Sequence, residues 1–373
     1  ETSYDLRTIA VGGSGSYTVA TTWEAAASPS SSSWEDAGYW AAGAVPPAGA
    51  DVTVGADVTL GSDRTVGDLV LSGGTLTASD ETPRTLTVQG DVTASGGALA
   101  AAGGTVAFTG GNAVSGTVAF GDVSIEGGGV DFGLASTVNG TLELKSGSFI
   151  QTNPPTYASS STLHYNNGSS YALGTEWSTS DPHHVLIGDG VSLQMGAATE
   201  KTCSGDLTVS TTGALNMGTM AAPISVAGNV TINGTLSMST VVGGDLAVGG
   251  DFQLTAGATF NENDRALTFN GSGPQSVTGT ETLVLKYLIV DKSADTLKLE
   301  TSLEVEAGGI LWPTDGVIAL NGNDLIVRSS AAGTAAIAAV GDTITGDLTF
   351  ERYVPGNDNG EASFVNLSSY VEG

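Results

Sequence analysis

The residues best suited to chemistry are few and thinly spread. In the stretch DPHHVLIGDG, Asp181 stands close to His183 and His184, and imidazole with carboxylate is an ordinary metal donor set. Adjacent residues of an extended segment point to opposite faces, however, and the other histidine, His164, lies nineteen residues before His183. A surface loop entering a strand is the reading these residues support. Cys203 is the one cysteine of the chain, so an intramolecular disulfide framework is excluded, and no basic neighbour that would activate a thiolate is visible beside it. A polysaccharide-cleaving centre would need carboxylates for acid and base work, with Arg or Lys facing the developing charge on one face. The chain has 11 Lys plus Arg against 39 Asp plus Glu, and Arg84, Arg265, Arg328 and Arg352 fall at separate turns or strand ends. No catalytic constellation is expected.

The same charge count excludes partners. The net charge is −28 although only 13% of residues are charged, so the imbalance reflects missing bases more than dense acids and argues against a salt-adapted surface. Nucleic acid and anionic membranes require clustered Lys and Arg, and none is present. No run of eighteen apolar residues occurs, so membrane insertion is not expected. The calcium-binding β-roll repeat requires G-G-x-G-x-D at nine-residue spacing, which GGDLAVGGD lacks. No cofactor is expected beyond weak calcium binding by scattered turn carboxylates, without assigned residues. The sequons at Asn139, Asn167, Asn229, Asn233 and Asn270 read as turn followed by strand.

The elements that must position all these residues are short strands. Gly accounts for 54 residues and aromatics for 6%, with Val, Thr, Leu, Ala and Ser filling most of the rest. From Gly205 the sequence falls into rungs, GDLTVSTTGALNMGTMAAPISVA, GNVTINGTLSMSTVVGGDLAVG and GDFQLTAGATFNENDRALTFN, of 23, 22 and 21 residues. Self-similarity at that period marks a solenoid. Each of the first two rungs holds three alternating segments, which predicts an all-β, right-handed, three-sided parallel β-helix. Stacking of equivalent positions then predicts one core ladder from Leu193, Leu215 and Leu236, and a neighbouring one from Met195, Met217 and Met238. Gly205 with Asp206, Gly228 with Asn229, and Gly250 with Asp251 become equivalent corners, the glycine allowing a tight turn and the Asp or Asn bonding the turn amides. About 13 to 15 turns, a rod of roughly 65 to 70 Å, fit after residue 51.

Three regions depart from this grammar. Residues 1–50 carry Trp23, Trp34 and Trp40 and read as an N-terminal cap over the open solenoid end. Residues 51–355 form the β-helix, with loop excursions around 151–201, where Pro pairs, polar runs and aromatics interrupt the rhythm. Residues 356–373 read as a C-terminal extension whose Phe364, Val365, Leu367 and Tyr370 are apolar enough to dock on another subunit. The chain opens at Glu1 without an initiator Met, as expected of a processed or excised piece.

The segments YDLRTIAVGGSGSYTVATTWE, WAAGAVPPAGADVTVGADVTL, LHYNNGSSYALGTEW, ALTFNGSGPQSVTGTETLVLKYLIVDKS and GDLTFERYVPG, in this order, resemble the long parallel β-helix regions of secreted, surface-displayed bacterial proteins, many of them cargo of the type IX secretion system. The resemblance covers nearly the whole chain and implies an extracellular location and further domains after GDLTFERYVPG. The leading expectation is a non-enzymatic structural rod in a surface stalk, adhesin or self-assembling fibre, with itself or neighbouring domains as partners. The alternative is a carbohydrate- or surface-binding module that uses Tyr157, Tyr165, Tyr171 and Trp177 as stacking aromatics. Ice binding would require a sustained Thr-x-Thr file, which the rungs do not show.

Overall fold

The computed structural model describes residues 22–26, 29–78, 82–100, 103–177 and 181–354. Among these the one helical element is a single 3-10 turn, Ala37–Tyr39, and everything else regular is strand. The strands build a parallel β-solenoid of about 13 turns. Their pattern follows from alternation: Leu207–Val209 and Val230–Ile232 each bury the first and third residue and half-expose the middle one.

Coil stacks on coil in register. Leu207 pairs with Val230, Val230 with Phe252, Phe252 with Val277 and Val277 with Leu299, steps of 23, 22, 25 and 22 residues. A second ladder joins Ile224, Leu246, Leu267, Leu288 and Leu311. All nine of these side chains are sealed from solvent. A coil cannot bury its apolar face alone, so each depends on the neighbours above and below for its core. The strands Leu283–Leu299 and Leu303–Ala319 are each 17 residues long. Straight strands of that length would span about 56 Å; here they pair in three blocks separated by register shifts, so each follows the coil around its corners. Nearer the N-terminus the core is filled by Phe108, Phe120 and Phe132, packed edge to face at 5.8 to 6.1 Å between ring centres.

The rhythm persists where the sequence suggests excursions. Leu142, Leu163, Val185 and Leu207 stack in one ladder across residues 151–201. The extra chain is confined to the link between the strands Ser170–Ala172 and His184–Ile187. Polar composition misleads there because outward-facing positions of a strand tolerate Asn and Ser while alternate positions still hold Leu163 and Tyr165.

The two described ends differ. At the first, Thr22–Glu24 pairs in parallel with Ala50–Val54, and Ser33 bridges Thr59. The Glu35 carboxylate accepts from the Gly61 amide at 3.0 Å and the Arg64 guanidinium at 3.0 Å. Trp34 and Trp40 are buried, with ring centres 4.7 Å apart, and Trp40 Nε1 donates to the Trp34 carbonyl at 2.9 Å. Trp23 is half-buried against the same core. At the other end, Leu348–Phe350 pairs with Leu325–Val327 on one side only among the described residues, and Phe350, Tyr353 and Val354 are exposed. Phe364, Val365, Leu367 and Tyr370 lie outside the described residues.

Candidate functional site

The corner residues form a ladder of their own. The Gly228 amide donates to the Gly205 carbonyl at 2.9 Å, and the Gly250 amide to the Gly228 carbonyl at 2.8 Å. Beside them, Asp206 Oδ1 accepts from the Asn229 amide at 2.7 Å, Asn229 Oδ1 from the Asp251 amide at 2.8 Å, and Asp251 Oδ1 from the Ser276 amide at 2.7 Å. The side chain therefore bonds the amide one coil further on, and its own turn is not its partner. Asp51, Asp68 and Asp91 repeat the device nearer the N-terminus, on the amides of Asp68, Asp91 and Ala113. Much of the acidity of the chain is thus spent on charge-assisted bonds to backbone N–H groups.

The glycines are required for a different reason from the one composition suggests. Gly205, Gly228 and Gly250 are absent from the glycines with left-handed backbone. Coil-to-coil approach demands them instead: a Cβ on Gly228 would lie 2.5 Å from Asp206 Oδ1 and 2.6 Å from the carbonyl carbon of Gly205. In the interior, Leu193 pairs with Leu215 and Leu215 with Leu236, and the file continues to Phe260. Met195, Met217 and Met238, one alternate position further on, are buried. These six side chains pack the core and offer nothing to a ligand.

One polar group sits inside the same core. Glu176 is fully buried. Its Oε1 accepts from the Gly174 amide at 3.0 Å and from the Tyr165 hydroxyl at 3.2 Å, while Tyr157 donates to its backbone carbonyl at 2.9 Å. Burial drives its carboxyl above the ordinary range, against the pull of the Gly174 amide, the Tyr165 hydroxyl and the Lys201 charge. Burial and the Glu176 charge in turn hold the Tyr157, Tyr165 and Tyr171 phenols protonated. Tyr157, Tyr165, Tyr171 and Trp177 are all buried, so their faces pack the interior and are withdrawn from any glycan, a correction to the stacking role that their polar surroundings suggest. Trp177 Nε1 donates to the Thr202 carbonyl at 2.7 Å.

The histidines are also placed differently from expectation. His183 and His184 do not diverge; their rings meet edge to face with centres 4.3 Å apart. His184 opens its strand and His183 precedes it, so strand alternation does not govern the pair. His184 Nδ1 accepts from the Asp206 amide at 3.0 Å, and His183 Nδ1 lies 3.1 Å from Ser204 Oγ. A metal would have to break these contacts. Cys203 is buried, and burial pushes its thiol up to about 12, so no thiolate nucleophile exists there near neutral pH.

Sequence reasoning did not find two further features. Glu262, Asp264 and Glu306 bring carboxylate oxygens within 4.8 Å of one another, a set of hard donors of the kind a divalent cation takes. Burial, then the charges of Asp264 and Glu306, raise the Glu262 carboxyl. Glu262 and Glu306 are 44 residues apart in sequence, so only the coil register reveals the set. The second feature is a file on the outer face: Thr202, Ser225, Ala247, Thr268, Ile289 and Trp312 stand in register, one per coil. Its first three residues line an open groove of about 500 Å³, shared with Asp181 and Asn270, and Trp312 at its far end is 51% exposed.

Compared with protein-family models, curated proteins and solved structures, the chain matches none. Among the described residues no helix is long and apolar enough to cross a membrane.

Proposed function

We propose that this chain is a non-enzymatic, extracellular structural rod, a right-handed three-sided β-helix serving as part of a surface stalk, adhesin or fibre. The observation that carries the reading is how the ionisable groups are used. Asp206, Asp251, Asp51, Asp68 and Asp91 join successive coils, Glu35 ties Arg64 and Gly61, and Arg328 bridges Glu304 and Glu351. None of these arrangements leaves an acid and a base facing a common cleft. Trp23, Trp34 and Trp40 support an N-terminal cap, since the segment carrying them pairs with the first coil. Surface display and a type IX route rest on the sequence motifs alone. Incubated with a panel of polysaccharides, the purified protein is expected to release no products, and small-angle scattering is expected to give a rod whose 13 or so coils span roughly 60 Å. Catalytic turnover of any polymer would overturn the reading.

A second reading, glycan binding, is favoured by the file that ends at Trp312. A half-exposed indole beyond a groove bearing Thr and Ser hydroxyls offers both a stacking face and hydrogen bonds. On a glycan array, Trp312→Ala is expected to abolish whatever binding the wild type shows while leaving its melting temperature unchanged. Binding retained by Trp312→Ala removes this reading.

A further inference from the structure

We propose that Glu176 is a proton-operated clamp: protonated, it closes a hydrogen bond between its Oε2 and the Tyr171 hydroxyl, and ionised, it loosens the link that carries it. The inference goes beyond the rod reading, since a rod needs no proton sensor.

The geometry that carries it is a pair of orphans. Glu176 Oε2 and Tyr171 Oη are both buried, and neither closes a hydrogen bond with good geometry. They are nonetheless close enough for the Glu176 carboxylate to act directly on the Tyr171 phenol. A buried ionised carboxylate needs either an adjacent cation or a full set of donors. Glu176 has donors on Oε1 alone, from Gly174 and Tyr165. Among the described residues it makes no ion pair: the seven bridges present involve Glu35, Glu126, Glu143, Asp206, Glu304 and Glu351 as acids. A proton on Oε2 removes the buried charge and supplies the missing donor, which Tyr171 Oη can accept. Both orphans are satisfied in one step.

The groups facing the carboxyl come from every neighbouring element. Tyr157, Tyr165 and Tyr171 approach from the strands Thr156–Tyr157, Thr162–Tyr165 and Ser170–Ala172. Lys201 acts from the strand Lys201–Cys203, with Asp181 acting on it in turn. The phenols stay neutral, and burial opposes the Lys201 charge, so Glu176 is the group that changes state. Its ordinary value is 4.5 and its folded value lies above that. The folded protein therefore holds the proton more tightly than the unfolded chain, and stability falls as pH rises through the raised value. Glu35, Glu126 and Asp131 are shifted down and act at lower pH with the opposite sign. Glu262 shares the sign of Glu176 but lies in a different coil, so it must be controlled for.

The test compares wild type, Glu176→Gln, Tyr171→Phe and Glu262→Gln between about pH 5 and about pH 8, by thermal unfolding and by amide exchange corrected for its intrinsic pH dependence. In wild type, exchange in peptides covering 170–177 is expected to speed up as pH rises. Glu176→Gln carries a permanent donor, so it should keep the slow exchange at both pH values and melt above wild type at about pH 8. Glu262→Gln should retain the local response. Tyr171→Phe keeps the carboxyl but removes its acceptor, and should weaken the response without abolishing the fold. A response absent from wild type, one that persists in Glu176→Gln, or a Glu176→Gln protein less stable than wild type at about pH 8 overturns the proposal.

Discussion

Replacing Lys292 with methionine is expected to lower stability by about 3 kcal/mol, the cost of leaving several buried acceptors without their charged donor. Lys292 is fully buried, yet it makes no ion pair among the described residues. Its Nζ donates to the carbonyls of Gly271 at 2.9 Å and Gly273 at 2.7 Å and to Gln275 Oε1 at 2.7 Å. An ammonium has three donors, and all three are used. Gln275, itself buried, accepts from the Gly271 amide at 2.9 Å and donates to the Val248 carbonyl at 2.9 Å and to the Gly250 carbonyl. The network thus ties three successive coils through one corner. Methionine matches the lysine stem in length and fills the space, so the loss reports the polar network more than a cavity. Because each coil contacts only its neighbours, a break here should uncouple the C-terminal coils from the rest. Urea unfolding should then show a lower first midpoint and a shallower transition, with residues beyond 271 melting ahead of those before it. A sharp single transition at the wild-type midpoint would show that the network contributes nothing.

How much of this was legible follows from what a repeat encodes. Leu193, Leu215 and Leu236 were legible because two-residue alternation and a near-constant coil length both point to them, and either signal alone would have been ambiguous. The corner register of Gly205, Gly228 and Gly250 was equally plain, but its cause was not. A glycine in a turn suggests backbone conformation, whereas the clash that excludes a side chain here is with a carbonyl 23 residues earlier, which no local pattern displays. The same distance hid the buried polar centres. Lys292 meets its partners 17 to 21 residues back, and Tyr157 meets the Glu176 carbonyl 19 residues on, so neither residue has an informative neighbour in sequence. Tyr165 was readable in principle, since it follows Leu144 in the ladder, but the surrounding Asn, Gly and Ser residues suggested an exposed loop. Trp312 was hidden for the opposite reason: it looks like core, and only the outward file through Ile289 shows that it is not.

Substituting Gly228 with alanine is expected to destabilise the protein by roughly 2 to 3 kcal/mol, the range for forcing one methyl into a packed interior. Its backbone tolerates an L-residue, because Gly228 lies outside the left-handed region, so conformational strain contributes nothing. The whole effect arises between coils. The added carbon would sit 2.6 Å from the Gly205 carbonyl carbon, which is main chain and cannot rotate away, and 2.5 Å from Asp206 Oδ1, which is already committed to the Asn229 amide. Relieving both contacts requires the two coils to separate, which stretches the Gly228-to-Gly205 and Asn229-to-Asp206 hydrogen bonds together. Gly257 provides the control: its backbone is left-handed, with φ +79, and nothing lies within 4 Å of where its Cβ would be. Gly257→Ala should therefore cost about 1 kcal/mol through strain alone. Thermal unfolding of the two variants separates the causes. If corner glycines mattered only for turn conformation, Gly257→Ala would be the more damaging change and Gly228→Ala nearly silent. Inter-coil contact requires the reverse order, together with faster amide exchange at Asn229 and Val230 in Gly228→Ala and unchanged exchange there in Gly257→Ala.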